Sequence, residues 1–179
     1  MKLETERLLL REFVDTDWPA VFAYQSDPLY LRYYNWTHLT QTDAREFVQM
    51  FINQQKERPR IKFQLAVVLK DENHLIGNCG VRINDMELKE ANIGYELDSR
   101  YWGRGYATEA ARAILKFGFE ELKIHRIWSW CVAENLSSVR VLEKNSMRCE
   151  GRLQEKELIK GKWYDSLIYA ILDHEWKKI

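Results

Sequence analysis

One stretch of this 179-residue sequence sets glycines and arginines where phosphate chemistry would use them. Tyr95-Glu96-Leu97-Asp98-Ser99-Arg100-Tyr101-Trp102-Gly103-Arg104-Gly105-Tyr106-Ala107-Thr108-Glu109 passes from an alternating apolar segment, through Gly103 and Gly105, into a helical pattern. Glycines at a strand-to-helix junction let backbone N–H groups crowd around a ligand, and a helix start adds unpaired amides and a positive dipole end. Such a junction suits a pyrophosphate, and Arg100 and Arg104 add local positive charge. Two other phosphate-binding patterns fail on spacing. Thr108 stands where the dinucleotide fingerprint has its third glycine, and no Lys-Ser/Thr pair follows as a P-loop requires. The residues alone leave a second reading open, in which the glycines only make a tight turn and the arginines solvate it.

Other chemistry-bearing residues are dispersed. Asn135 and Ser138 are spaced as a helix N-cap and the third helical residue. Glu157 lies in Glu155-Lys156-Glu157, a pattern that also describes a solvated strand end. Tyr30-Leu31-Arg32-Tyr33-Tyr34-Asn35-Trp36 is unusually aromatic for a connection. Concave ligand sites are lined this way, and so is a loop pinned to a core. Trp163 and Tyr164 form a second aromatic cluster. There is no Gly-x-Ser-x-Gly elbow and no cysteine in an activating context, so no covalent nucleophile is indicated. His38, His74, His125 and His174 form no His-x-x-x-His pair and are read as surface or cap residues. Cys79, Cys131 and Cys149 are odd in number and widely spaced, which predicts reduced, buried thiols, no disulfide and no metal.

The elements that must hold these residues follow from periodicity. Leu8, Leu10 and Phe13 predict a first strand, and Asp15-Thr16-Asp17-Trp18-Pro19 a helix start that ends by Asp27-Pro28. Thr42 to Glu57 carries Ala44, Phe47, Val48 and Phe51 at helical spacing and is closed by Arg58-Pro59. Three period-two segments follow, near 61–69, 75–83 and 91–97, with turns at Asp71-Glu72-Asn73 and Asn84-Asp85. Ala107, Ala110, Ala111, Ile114, Leu115, Gly118 and Leu122 trace a long helix. A short strand over 127–132, a helix over 135–144 and two strands turning at Lys160-Gly161-Lys162 complete the chain. The order predicts an α/β (α+β mixed) architecture, a central, mostly antiparallel mixed sheet of about seven strands with helices on both faces.

Composition sets the frame. With 46% hydrophobic and 13% aromatic residues, 3 Pro and 8 Gly, the chain is expected to fold as a single domain over residues 1–179. Lys plus Arg and Asp plus Glu both number 27, so nothing suggests bulk attraction to nucleic acid or an acidic membrane. The charged N-terminus and the lack of a long apolar run predict a soluble, cytoplasmic protein.

Arg100-Tyr101-Trp102-Gly103-Arg104-Gly105 resembles the acetyl-CoA pyrophosphate loop of the GNAT superfamily of N-acetyltransferases. The longer string from Ile93 to Ala110 is most similar to the subfamily of ribosomal-protein alanine N-acetyltransferases. So are Thr5-Glu6-Arg7-Leu8-Leu9-Leu10-Arg11 and Glu134-Asn135-Leu136-Ser137-Ser138 with Leu142-Glu143-Lys144-Asn145. Many members have Gly-Phe where this chain has Ser146-Met147, and the preceding Asn145 suits the left-handed end of a helix.

The resemblance implies a GNAT-like fold and direct transfer of an acetyl group from acetyl-CoA, as co-substrate and without metal, to a primary amine. By resemblance, the cofactor-binding residues are Leu97, Arg100, Gly103, Arg104, Gly105, Tyr106, Ala107, Thr108, Asn135 and Ser138. The Leu97 amide would stabilise the oxyanion, Asn135 hold the pantetheine arm, Ser138 protonate the departing thiolate and Glu157 serve as base. Asn92 stands where many relatives carry a strand glutamate. Tyr33, Tyr34 and Trp36 would border the acceptor. The acceptor would be a protein N-terminus or a small molecule, and the protein a monomer or homodimer. A non-catalytic acyl-CoA-binding regulatory domain is the alternative.

Overall fold

The computed structural model describes residues 1–178. Its chain runs β1 (Lys2–Glu4), β2 (Leu8–Arg11), α1 (Trp18–Gln25), α2 (Gln41–Gln54), β3 (Lys62–Leu69), β4 (His74–Asp85), β5 (Glu90–Leu97), α3 (Tyr106–Glu120), β6 (Arg126–Val132), α4 (Leu136–Lys144), β7 (Arg148–Ile159), β8 (Lys162–Leu172) and α5 (Asp173–Trp176). Short 3-10 turns precede α1, α2 and α3. One sheet takes the strand order β1-β2-β3-β4-β5-β6-β8-β7, and every neighbouring pair is antiparallel except β5 with β6.

Helices cover both faces because the central strands are apolar on both sides. Along β3, Leu65, Val67 and Leu69 join the core beneath α3, while Ala66 and Val68 join a second core with Val21 and Tyr24 of α1 and Ala44, Val48 and Phe51 of α2. The stripe expected on α3 is the buried one, with Ala110, Ala111, Ile114, Leu115 and Gly118 facing the sheet. Gly118 is required by closeness, since a Cβ there would sit 2.6 Å from Ile127 Cδ1.

The predicted mixed sheet with helices on both faces is present, with three differences. β1 makes the strand count eight. Cys149 is exposed, although Cys79 and Cys131 are buried as expected. The left-handed residue after α4 is Ser146 (φ 61°), while Asn145 keeps φ −96°. Buried Asn145 is held by its side chain, which donates to Thr108 O at 3.2 Å and Val141 O at 2.9 Å, so the reversal falls on the next residue.

Candidate active site

β5 and β6 run parallel but pair only over Glu90↔Arg126, Ala91↔Ile127 and Asn92↔Trp128. Beyond Asn92 the strands separate, and Ser129 Oγ donates to Ile93 O at 3.0 Å across the start of the opening. Peptide groups alternate sides along a strand. The Asp98 N–H donates to Ile76 O of β4 at 2.8 Å, so the Leu97 N–H faces the opposite way, into the opening. The Leu97 carbonyl accepts from Trp102 Nε1 at 2.7 Å, which fixes the end of β5 against the loop that follows.

That loop turns at Gly103 (φ 75°) and Gly105 (φ 84°), conformations that favour glycine, and Gly105 caps α3. Gly103 has open space around its Cα, and Gly105, Tyr106, Ala107 and Thr108 bring the first-turn amides of α3 to the same side as the glycine turn. The arginines divide. Arg104 is exposed with its guanidinium 5.6 Å from the Tyr101 ring, whereas Arg100 is paired with buried Asp98. Burial pushes the Asp98 carboxyl up, but hydrogen bonds and charge from Arg100 outweigh it and hold it below the usual range.

The sequence did not single out Arg7, which braces this loop. Its guanidinium pairs with Glu109 at 2.6 Å, donates to Arg104 O at 3.0 Å and lies 4.4 Å over the Tyr106 ring. Glu6, Arg7, Gly105, Thr108, Glu109, Arg112 and Lys144 line a cavity of about 460 Å3 beside the first turn of α3. Positive-φ glycines and free first-turn amides suit an anion such as a pyrophosphate, beside a wall of mixed charge in which Arg7 is paired with Glu109.

Asn135 caps α4, its Oδ1 accepting from the Ser138 N–H at 3.2 Å. Ser138 Oγ lies 2.8 Å from the hydroxyl of Tyr95, which also donates to Ser138 O at 3.1 Å. Burial holds the Tyr95 hydroxyl well above the usual phenol range, so it stays protonated. Burial pushes the Cys131 thiol up to about 11, an effect that neighbouring Ser138 only partly offsets. Cys79 is pushed up to about 12 by burial. Neither thiol is ionised at neutral pH, so neither is an activated nucleophile.

On the opposite face of β5, the aromatic connection closes over the sheet. Tyr34 stacks on Tyr30 with ring centres 4.9 Å apart and meets exposed Trp36 at 4.6 Å. Tyr33 donates to Glu134 O at 3.1 Å and packs edge-on against Tyr164, which joins the two aromatic clusters. The β7–β8 turn clamps the connection, with Lys160 Nζ on Leu31 O at 2.9 Å and the Lys160 N–H on Asn35 Oδ1 at 3.1 Å. Glu157, on β7, accepts from Ser166 Oγ at 3.2 Å and has no hydrogen bond to Ser138 or Tyr34 among the described residues. A different carboxylate, Glu96, accepts from Tyr24, Gln25, Tyr34 and Asn78.

Residues 7–148 match the family described as "Acetyltransferase (GNAT) domain". The chain belongs to the GNAT acetyltransferase family. It is 41% identical over 177 residues to the uncharacterized N-acetyltransferase YnaD of Bacillus subtilis, covering 98% of this chain and 99% of that one. A GNAT acetyltransferase structure from Bacillus anthracis is 38% identical, with a TM-score of 0.85 over 98% of this chain and 100% of its own. The fold is shared with a ribosomal L7/L12 α-N-protein acetyltransferase, RimL, in complex with coenzyme A (21% identity, TM-score 0.84, 96% and 98% covered). It is also shared with a ribosomal-protein-S5-alanine acetyltransferase from Vibrio fischeri (22% identity, TM-score 0.80, 98% of both chains). As a GNAT N-acetyltransferase the protein uses acetyl-CoA. No helix among the described residues is long and apolar enough to cross a membrane.

Proposed function

We propose that this GNAT enzyme, acting as one domain over residues 1–179, acetylates α-amino groups of protein or peptide N-termini or of small amino compounds. The observation that carries the reading is the Leu97 N–H turned into the β5–β6 opening, with the Tyr95–Ser138 hydroxyl pair on the same strand and helix pair. When bound, acetyl-CoA supplies an acyl thioester. Amides of Gly103 to Thr108 bind its pyrophosphate, with Arg104 and Arg7 adding charge and Arg100 bracing Asp98 at the loop entry. Tyr106 packs beneath Arg7 at the loop edge. Asn135 both caps α4 and holds the pantetheine arm, and the Leu97 N–H donates to the carbonyl oxygen as charge develops on it. Ser138 gives its proton to the departing thiolate, with Tyr95 orienting the hydroxyl. Tyr33, Tyr34 and Trp36 border the acceptor, and Glu157 is the base that the family resemblance assigns. The high thiol ranges of Cys79 and Cys131 favour direct attack over an acyl-cysteine intermediate.

Amine basicity favours the α-amine. An α-amino group titrates near about 7.7–8.0 and lysine near about 10.4, so neutralising lysine at pH 7 costs about 3.4 kcal/mol more. The names of two proteins that share the fold point the same way, a ribosomal α-N-protein and a ribosomal-protein-alanine acetyltransferase, while a relative 25% identical is a spermidine N(1)-acetyltransferase. Thiol release from acetyl-CoA should appear with a lysine-free peptide bearing a free N-terminus and vanish when that terminus is blocked. Equal release with both peptides, or none with the free one or with amino-acid amides, contradicts the reading.

A further inference from the structure

Glu96 follows Tyr95 on β5, so the two side chains leave the sheet on opposite faces, Tyr95 toward Ser138 and Glu96 toward α1 and the aromatic connection. One carboxylate oxygen accepts from Asn78 Nδ2 at 2.8 Å, Gln25 Nε2 at 3.3 Å and Tyr24 Oη at 3.4 Å, and the other from Tyr34 Oη at 3.3 Å. Tyr24, Gln25 and Asn78 are buried, whereas Glu96 and Tyr34 are half-buried and Trp36 is exposed. The carboxylate is therefore gripped by four donors and remains half-buried, with Tyr34 linking it to exposed Trp36.

Behind it runs a polar chain with a fixed direction. Arg82 Nη2 donates to Gln64 Oε1 at 2.7 Å, Gln64 Nε2 to Asn78 Oδ1, and Asn78 Nδ2 to Glu96. A guanidinium can only donate and a carboxylate can only accept, so both amides are oriented toward Glu96. This cross-strand line from β4 through β3 and back to β4 and β5 lies among residues that are otherwise core, where polar groups are costly unless hydrogen-bonded, and each member is satisfied by the next. Nothing in packing the sheet requires a carboxylate here.

We propose that Glu96 is the acceptor-amine residue, the carboxylate that receives the cationic α-ammonium beside Tyr34 and Trp36 and takes its proton, in place of Glu157. The proposal rests on the α-amine reading above. The ammonium gives one proton to Glu96, and the freed nitrogen pair forms the C–N bond to the thioester carbon one residue away, at the Leu97 amide. The C–S bond then breaks, the thiolate takes the Ser138 proton, and the surplus proton on nitrogen restores Ser138. Glu96 releases its proton to solvent, so each transfer yields amide, free thiol and one proton. Exposed Trp36 offers a ring that favours a cation. Arg82, Gln64 and Asn78 are positioning residues. The other titratable groups facing Glu96 are Tyr24, Tyr30 and Tyr34, and burial, followed by the charge of Glu96, holds each above the usual phenol range, so none titrates between pH 6 and 9.

The test is the pH profile of kcat/KM for Glu96→Gln with a lysine-free peptide amine and acetyl-CoA. The wild-type enzyme captures the ammonium, whereas the variant can use only the neutral amine. Its deficit should therefore grow about tenfold per pH unit below about pH 8, the α-amine range, and shrink above it. A deficit that is the same at every pH, or no deficit, overturns the proposal. Wild-type turnover of the peptide reports on the α-amine reading, and the variant ratio on Glu96 alone. Should Glu96→Gln not fold, Tyr34→Phe keeps the carboxylate but withdraws one donor, and its acid limb should move to higher pH at unchanged acetyl-CoA affinity. An unmoved limb also overturns the proposal.

Discussion

In the reaction proposed above, Ser138 would serve a helix and the chemistry together. Its N–H satisfies the Asn135 cap, and its hydroxyl meets Tyr95. An acid acting on the leaving thiolate contributes mainly in the transition state. Ser138→Ala should therefore lower kcat on the order of 10²-fold while acetyl-CoA affinity, read by calorimetry, changes far less. The cap uses the Ser138 backbone and should survive, so the thermal melt should be close to wild type. Unchanged turnover in that stable variant would reduce Ser138 to a structural residue. Asn135 and Ser138 were legible in the sequence because a cap is local, spanning three residues. Tyr95 and Glu96 were not legible as partners, since each looks like an ordinary strand residue. Their partners Ser138, Asn78 and Tyr34 arrive from other elements.

At the scale of elements, the glycine turn into α3 was readable because φ preference is a property of the residue itself. The separation of β5 from β6 was not, because apolar alternation continues along both strands and only their short register reveals the gap. β1 escaped notice for a related reason, as Lys2–Glu4 is three residues with two exposed side chains and no apolar period. At Gly105 the φ of 84° is strained for any side chain, and a Cβ would meet Arg7 Nη2 at 3.4 Å. A branched side chain would disturb both the first turn of α3 and its Arg7 brace. Gly105→Val should abolish calorimetric acetyl-CoA binding while far-ultraviolet circular dichroism stays native, because Gly105 itself belongs to neither core. Undiminished affinity in the folded variant would move the pyrophosphate away from Gly103 to Thr108.

Across the whole molecule, net charge is zero and the chemistry depends on local placement. The sheet divides the work. The glycine loop, Asn135 and Ser138 lie with α3 and α4, while Glu96 and the aromatic connection lie with α1 and α2. Leu97 sits where the two sides meet. Periodicity placed the elements and their order gave this architecture, because a run of antiparallel strands followed by a strand-helix-strand crossover implies a mixed sheet with helices on both faces. The acceptor side was only partly visible, since an aromatic run describes a packed loop as well as a binding wall. In the structure Tyr33 and Tyr164 pack edge-on and Tyr33 donates to Glu134 O, which pins the loop. The central claim is that the amine received there is an α-amine. The most direct test is tandem mass spectrometry of a peptide carrying a free N-terminus and an internal lysine, reacted with acetyl-CoA and the enzyme at neutral pH. The account predicts acetyl on the N-terminal nitrogen with the lysine unmodified, and acetyl on the lysine with the N-terminus free would contradict it.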